Sequence, residues 1–218
     1  MLDGKMVDSP NPPSTSRART RYEARRQEIV DIAARVFAER GYHATSIDHL
    51  VEATGLQRGG LYHYIGTKEE LLFQIHERFI DPLLTSAREI ESRGDPPADT
   101  LRALARALMG DIATYHDQVT VFLHEWKTLG TSKDGERVKK VMAARKQFED
   151  VIDRALKRGI EQGVFVVEDP RLAVLAFLGM INYAYQWYSS RGPYSSDLIA
   201  DSFCNYFLYG ISRDRGHG

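Results

Sequence analysis

Between Thr45 and Leu71 the chain reads "TSIDHLVEATGLQRGGLYHYIGTKEEL", and within it lie side chains suited to hold a base edge or a phosphate. Arg58 offers the paired donors that match guanine, and Tyr62 and His63 can hydrogen-bond bases or phosphates. Gly59 and Gly60 carry no Cβ, so the backbone there can approach a partner closely. The chain shows no nucleophile–base pair, no phosphate-cradling glycine loop and no metal cluster. The chemistry on offer is recognition, not bond breaking.

Such groups need short, rigid supports. Thr45 or Ser46 can cap a short helix whose inward positions are Ile47, Leu50 and Val51. Gly55 supplies a turn, because a positive φ there meets no Cβ penalty. Leu56 and Leu61 return to the same small core and flank Gln57, Arg58, Gly59 and Gly60, so residues 57–63 read as a second helix. A helix, a glycine turn and a second helix make a helix-turn-helix, whose second helix fits the major groove. After Gly66, Thr67 and Glu70 form a capping box that opens a helix at Lys68, running to about Ser92 with a kink expected at Pro82. Upstream, Ile29, Ile32, Ala33, Val36 and Phe37 recur at helical spacing and Gly41 stops the pattern, which predicts a helix over 21–40. Arg17, Arg19, Arg21, Arg25 and Arg26 crowd its start, where cations oppose the helix dipole, so an anionic partner is expected.

Composition sets the outer limits. The 218 residues are 43% hydrophobic and 27% charged, the ordinary range of a soluble globular protein. The net charge of −1 advertises no nucleic acid, but a local basic face suffices for one. A single cysteine, Cys204, excludes an intrachain disulfide and any multi-cysteine zinc site. Residues 1–20 lack a basic start followed by an apolar block and are rich in Pro, Ser and Asn, which predicts a disordered leader with a basic arm and no signal peptide. Leu172 to Tyr188 is interrupted by Gly179, Asn182 and Gln186; it reads as a buried helix, not a membrane span. A cytoplasmic protein without a cofactor is expected.

The remaining chain reads as longer helices over about 98–116, 118–129, 138–163, 169–191 and 195–211, with no convincing strand; Val164 to Val167 comes nearest. Tyr115, Phe122, Trp126, Phe148, Phe177, Tyr183, Gln186 and Trp187 lie on helices expected to enclose a cavity for an apolar or amphipathic ligand. The last helix is apolar on every side, through Leu198, Phe203, Tyr206, Phe207 and Tyr209, so a partner subunit is expected to cover the surplus. His116 and His124, with Asp117 and Glu125, lack metal-ligand spacing and read as surface or core residues.

"FAERGYHATSIDHLVEATGLQRGGLYHYIGTKEELL" resembles the DNA-binding domain of the tetracycline-repressor (TetR) family of transcriptional regulators, over about Arg21 to Phe73 without a gap. The matching features are Phe37, Gly41, Thr45, Ile47, Gly55, Leu61, Tyr62, Lys68 and Glu69-Glu70-Leu71. The resemblance implies an all-helical homodimer of nine or so helices with a divergent ligand domain. It also implies that Thr45, Tyr62 and Lys68 touch phosphates and that residues 57–63 form the recognition helix. Gln57, Gly60 and Ile65 depart from the family's usual Ser or Thr, small hydroxyl residue and Phe. "QWYSSRGPYSSDLIADSFCNYFLYGI" is similar to the end of the lipid-catabolism branch, whose effectors are often acyl-CoA thioesters.

The expectation is an all-α chain: a three-helix helix-turn-helix domain over 21–67, then a ligand-binding and dimerisation domain over 68–218 joined through the helix 68–92. Arg21, Arg25, Thr45, Ser46, Gln57, Arg58, Gly59, Gly60, Tyr62, His63 and Lys68 are its expected DNA contacts. Its expected partners are a palindromic double-stranded operator, a second copy and a small hydrophobic effector that releases the DNA, with no membrane. The alternatives are a helical adaptor with a degenerate helix-turn-helix and a helical-bundle enzyme.

Overall fold

The structure, a computed structural model, describes residues 16–212. Their elements are α1 (Ser16–Arg40), α2 (Ile47–Thr54), α3 (Arg58–Ile65), α4 (Lys68–Ser92), α5 (Pro97–Thr114), α6 (His116–His124), α7 (Trp126–Leu129), α8 (Gly135–Glu161), α9 (Pro170–Asn182), a 3-10 turn (Tyr183–Gln186) and α10 (Ser196–Ile211). Among the described residues the only extended pairing is one bridge from Phe165 to Ser212, strengthened by the Val166 amide donating to the Ile211 carbonyl at 2.8 Å. The all-α expectation holds.

Local signals placed most helix ends. Gly41 and Gly55 adopt φ of +82° and +67° behind α1 and α2. Ser46, not Thr45, caps α2: its hydroxyl accepts from the His49 amide while His49 Nδ1 accepts from the Ser46 amide, both at 3.2 Å. Thr67 and Glu70 form the expected capping box, with bonds of 3.0 and 2.7 Å, and α4 opens at Lys68. Pro82 lies inside α4 without ending it.

α1, α2, α3 and the first turns of α4 share a core of Ile29, Phe37, Leu50, Leu61, Ile65 and Leu71, all essentially buried. Each such side chain stabilises the head by about 1.5–3 kcal/mol. α4 then runs into the body, where it lies along α8 and α5, and α5 lies along α10. α6 packs against α1, so head and body also meet away from α4.

Three expectations need correction. α1 begins at Ser16, so residues 16–20, expected as leader, are helical; residues 1–15 lie outside the described residues. The break expected at Asp117-Gln118 falls at Tyr115, where φ is −120° and ψ 41°, and Glu125 divides the next segment into α6 and α7. Glu125 is held there by tertiary bonds, accepting from the Tyr42 amide at 3.0 Å and the Thr128 hydroxyl at 2.8 Å. Finally, the helix expected to reach Gly192 stops at Asn182. The Tyr185 carbonyl and hydroxyl there bond to the rings of His116 and His124, at 2.8 and 2.6 Å. Those bonds to α6 favour a 3-10 turn over another turn of α9.

Candidate nucleic-acid interface and ligand crevice

α3 presents Arg58, Gly59, Gly60, Tyr62 and His63 to solvent while Leu61 and Ile65 anchor it from behind. A Cβ at Gly59 or Gly60 would meet nothing within 4 Å, so the backbone of this helix start lies open. Gln57 caps α3 without a side-chain bond, leaving its amide exposed. Arg58 is already engaged: its guanidinium pairs with Asp48 on α2. Ser46 and Arg21 are exposed on α2's cap and on α1, and Arg17 and Arg19 are exposed nearer the start of α1.

Other expected contacts are spent internally. Thr45 is 1% exposed and donates its hydroxyl to the Gly41 carbonyl at 2.8 Å. The expected phosphate contact has no free surface there; Thr45 closes the loop between α1 and α2. Lys68 donates to the carbonyls of Tyr42 and Thr45 at 2.8 and 2.6 Å and stands 4.3 Å over the Tyr42 ring. Burial lowers its pKa, opposed by the charge of Glu125. Lys68 is a pin for that same loop. Arg25 pairs with Glu28 at 2.6 Å and reaches the Thr54 carbonyl at the end of α2 at 3.3 Å.

Sequence reasoning missed Tyr22. It is 8% exposed, stacks on Tyr64 at 5.0 Å, meets the His63 ring edge-on at 5.4 Å and donates to the His63 carbonyl at 3.1 Å. It straps the C-terminal half of α3 to α1. Asp48 was missed too, since ten residues separate it from Arg58 and no helical spacing links them. An aromatic residue inside the basic run was the one available signal for Tyr22.

In the body a crevice of about 390 Å³, its open mouth included, runs between five helices, with free room inside for little more than water. α4 lines it with Phe79, Ile80 and Leu83, α6 with Phe122 and Leu123, and α8 with Arg145, Phe148 and Glu149; Leu108, Leu178 and Asn182 complete the wall. Arg145 pairs with Glu149 at 3.1 Å and lies 4.4 Å over the Trp126 ring. A second, polar groove between α8 and α9 is lined by Lys146, Asp153, Lys157, Arg171, Val174 and Leu175 and shares Glu149 with the crevice; Lys157 pairs with Asp153 at 2.7 Å.

Of the expected ligand residues, Phe122 and Phe148 line the crevice and Trp126 flanks it through Phe122, 5.9 Å away. The others are corrected. Phe177 is core, 1% exposed against Phe207. Tyr115 lies at the α5–α6 break near Arg78. Gln186 bonds to the Tyr185 hydroxyl. Tyr183 and Trp187 face outward, 65% and 45% exposed, because the 3-10 turn rotates them away. Of the expected interface residues, Leu198, Tyr206 and Tyr209 are exposed and Phe203 is half-buried beside Trp187, whereas Phe207 turns inward onto Phe177. Leu172 and Leu175 on α9 extend the outward apolar surface. Among the described residues no group of three or more His, Cys, Asp or Glu side chains could hold a metal, and no helix is long and apolar enough to cross a membrane.

A helix-turn-helix head on a helical body with an apolar crevice defines a class: ligand-responsive DNA-binding regulators, which are not enzymes. Residues 29–75 match the model of the bacterial regulatory proteins of the tetR family, and residues 94–211 match the tetracyclin repressor-like C-terminal domain. The chain belongs to the tetR family of transcriptional regulators. It is 31% identical over 189 residues to the HTH-type transcriptional repressor KstR2 of Rhodococcus jostii, covering 86% of this chain and 91% of that one. The structure of the ketosteroid transcriptional regulator KstR2 of Mycobacterium tuberculosis superposes with a TM-score of 0.80 at 26% identity, covering 94% of this chain and 100% of that one. AibR in complex with isovaleryl coenzyme A and operator DNA superposes with a TM-score of 0.72 at 28% identity, covering 84% and 97%.

Proposed function

We propose that the chain is a cytoplasmic, homodimeric repressor that holds a palindromic operator through α3 and releases it when an acyl-CoA-like effector enters the body. The observation that carries the reading is the exposed face of Arg58, Tyr62 and His63 on a helix anchored by Leu61 and Ile65. Arg58, leaving its exposed pair with Asp48, reads a base edge, Tyr62 and His63 hold base or phosphate, and exposed arginines of α1 add sequence-independent attraction. The outward surface of Leu172, Leu175, Leu198, Tyr206 and Tyr209 is the seam between two copies. A two-fold pair places its α3 helices on half-sites roughly 34 Å apart.

The two spaces meet at Glu149. The apolar walls of the crevice suit an acyl chain once the helices part to admit it, and in the adjoining groove Arg171 stands beside Lys146 and Lys157, which an anionic head would draw from their partners Asp150 and Asp153. AibR, a structural relative, has been crystallised with isovaleryl coenzyme A and operator DNA. Release follows from a higher affinity of effector for the head spacing that does not fit DNA.

Fluorescence anisotropy with promoter DNA flanking the protein's own gene tests the reading. Affinity should fall steeply with salt, and an Arg58→Ala/Tyr62→Ala variant should lose preference for that DNA over a scrambled duplex. Equal binding of both duplexes by the native chain would refute it. Mass spectrometry of copurified ligand, followed by titration of the found compound into the DNA complex, tests the effector.

A further inference from the structure

We propose that His76 is the polar reader of the effector crevice, selecting an apolar ligand that carries a ketone or hydroxyl oxygen on its buried end. The inference rests on the crevice reading above. His76 is 0% exposed, and neither ring nitrogen has a hydrogen-bond partner. An imidazole so placed gives up its hydrogen bonds to water without replacing them, which destabilises the fold. Such a group calls for a reason.

Its position supplies one. His76, Phe79, Ile80 and Leu83 follow one another on one face of α4 at helical spacing, and the last three line the crevice. The Phe122 ring, also in the crevice wall, stands 5.1 Å from the His76 ring and 4.9 Å from that of Phe79. Phe122 therefore packs against the imidazole and lines the crevice at once. It belongs to α6, a nine-residue helix with an irregular residue at each end, Tyr115 and Glu125. A modest displacement of Phe122 lengthens the crevice by about one turn of α4, or ~5 Å, and ends it on an unsatisfied imidazole. Neutral imidazole offers one donor and one acceptor, so it bonds a carbonyl through the first and a hydroxyl through either. The surrounding rings reward apolar bulk and discriminate poorly between an alkane and a ketone; a buried unpaired donor discriminates well.

Cyclohexane and cyclohexanone, nearly equal in shape, separate the alternatives when their affinities are measured by ligand-induced thermal stabilisation. The expected result is a ketone-to-alkane affinity ratio in the native chain roughly fivefold or more above that in His76→Leu. The ring-nitrogen resonance of His76 should also shift with cyclohexanone. Phe122→Ala, with His76 in place, should raise the ketone preference, which keeps the proposal testable if His76→Leu folds poorly. Ratios unchanged in both variants, with both probes still binding, overturn the role of His76 and leave the crevice standing. Failure of both probes to bind the native chain overturns the crevice reading, and this inference with it; binding of cyclohexane without cyclohexanone overturns the role of His76.

Discussion

The phenol of Tyr22 on α1 donates a hydrogen bond to the backbone carbonyl of His63 on α3, 41 residues away, at 3.1 Å. The same ring stacks on Tyr64, so one side chain fixes both the height and the tilt of the helix proposed to enter the groove. Recognition depends on how rigidly α3 is presented, and Tyr22 is the strap that α1 contributes.

Tyr22→Phe keeps the stack and loses only the hydrogen bond, with an expected loss of about 0.5–1.5 kcal/mol in head stability. Operator affinity should fall while the salt slope stays constant, because no phosphate contact is removed. Tyr22→Ala should lower affinity further. Anisotropy titrations at several salt concentrations check both; a changed slope in Tyr22→Phe would mean that the hydroxyl itself meets DNA.

Lys68 is expected to behave as a structural pin. Lys68→Met removes two donors from the carbonyls of Tyr42 and Thr45 and should destabilise the chain by roughly 1–3 kcal/mol in denaturant unfolding. If Lys68 served chiefly as a phosphate contact, the variant would instead unfold as the native chain does and bind DNA with a shallower salt slope.

Acid should expose the burial of His76. Burial lowers its pKa from 6.5 to about 3, so between those values the unfolded chain takes up a proton that the folded chain refuses. Stability therefore drops as pH falls through that window, by about 1.4 kcal/mol per unit. Half-buried Asp111 has the opposite sign: burial raises its pKa from 3.8 to about 6, so its contribution is lost as pH rises from about 4 to 6. His76→Leu should gain about 2 kcal/mol more at pH 5 than at pH 7.5. Asp111→Asn should gain more at pH 7.5 than at pH 4. Denaturant melts at these pH values check both.

The proposed seam can be cut at residues that do not support the chain's own core. Leu175→Asp/Tyr206→Asp puts charges on an exposed apolar face, so each subunit should keep its helical content yet sediment as a monomer. Operator affinity should drop by orders of magnitude, since two half-sites no longer share one protein. Analytical ultracentrifugation with circular dichroism reads the two effects separately.

The helix-turn-helix was legible because its signals are local. Gly55 is required by its φ, Thr67 and Glu70 by their three-residue spacing, and Leu61 by its return to the small core. The ligand region was less legible because an apolar helix carries no mark of which aromatic faces a void. Phe148 lines the crevice and Phe177 fills the core, yet both are phenylalanines in helical patterns. Tyr183 and Trp187 were misplaced for a specific reason: His116 and His124 draw Tyr185 toward α6, and the helix ends early.

Taken by itself, the amino-acid sequence determined the helices, most of their caps, the helix-turn-helix and a surplus of apolar surface at the C-terminal end. All of these follow from interactions within a few residues, or from composition. Only the tertiary structure decided that Arg58 is held by Asp48, that Lys68 and Thr45 close a loop, that Phe207 turns inward, and that His76 lies buried without a partner. Those outcomes depend on which helices meet and at what rotation, which is set by packing between residues far apart in the chain.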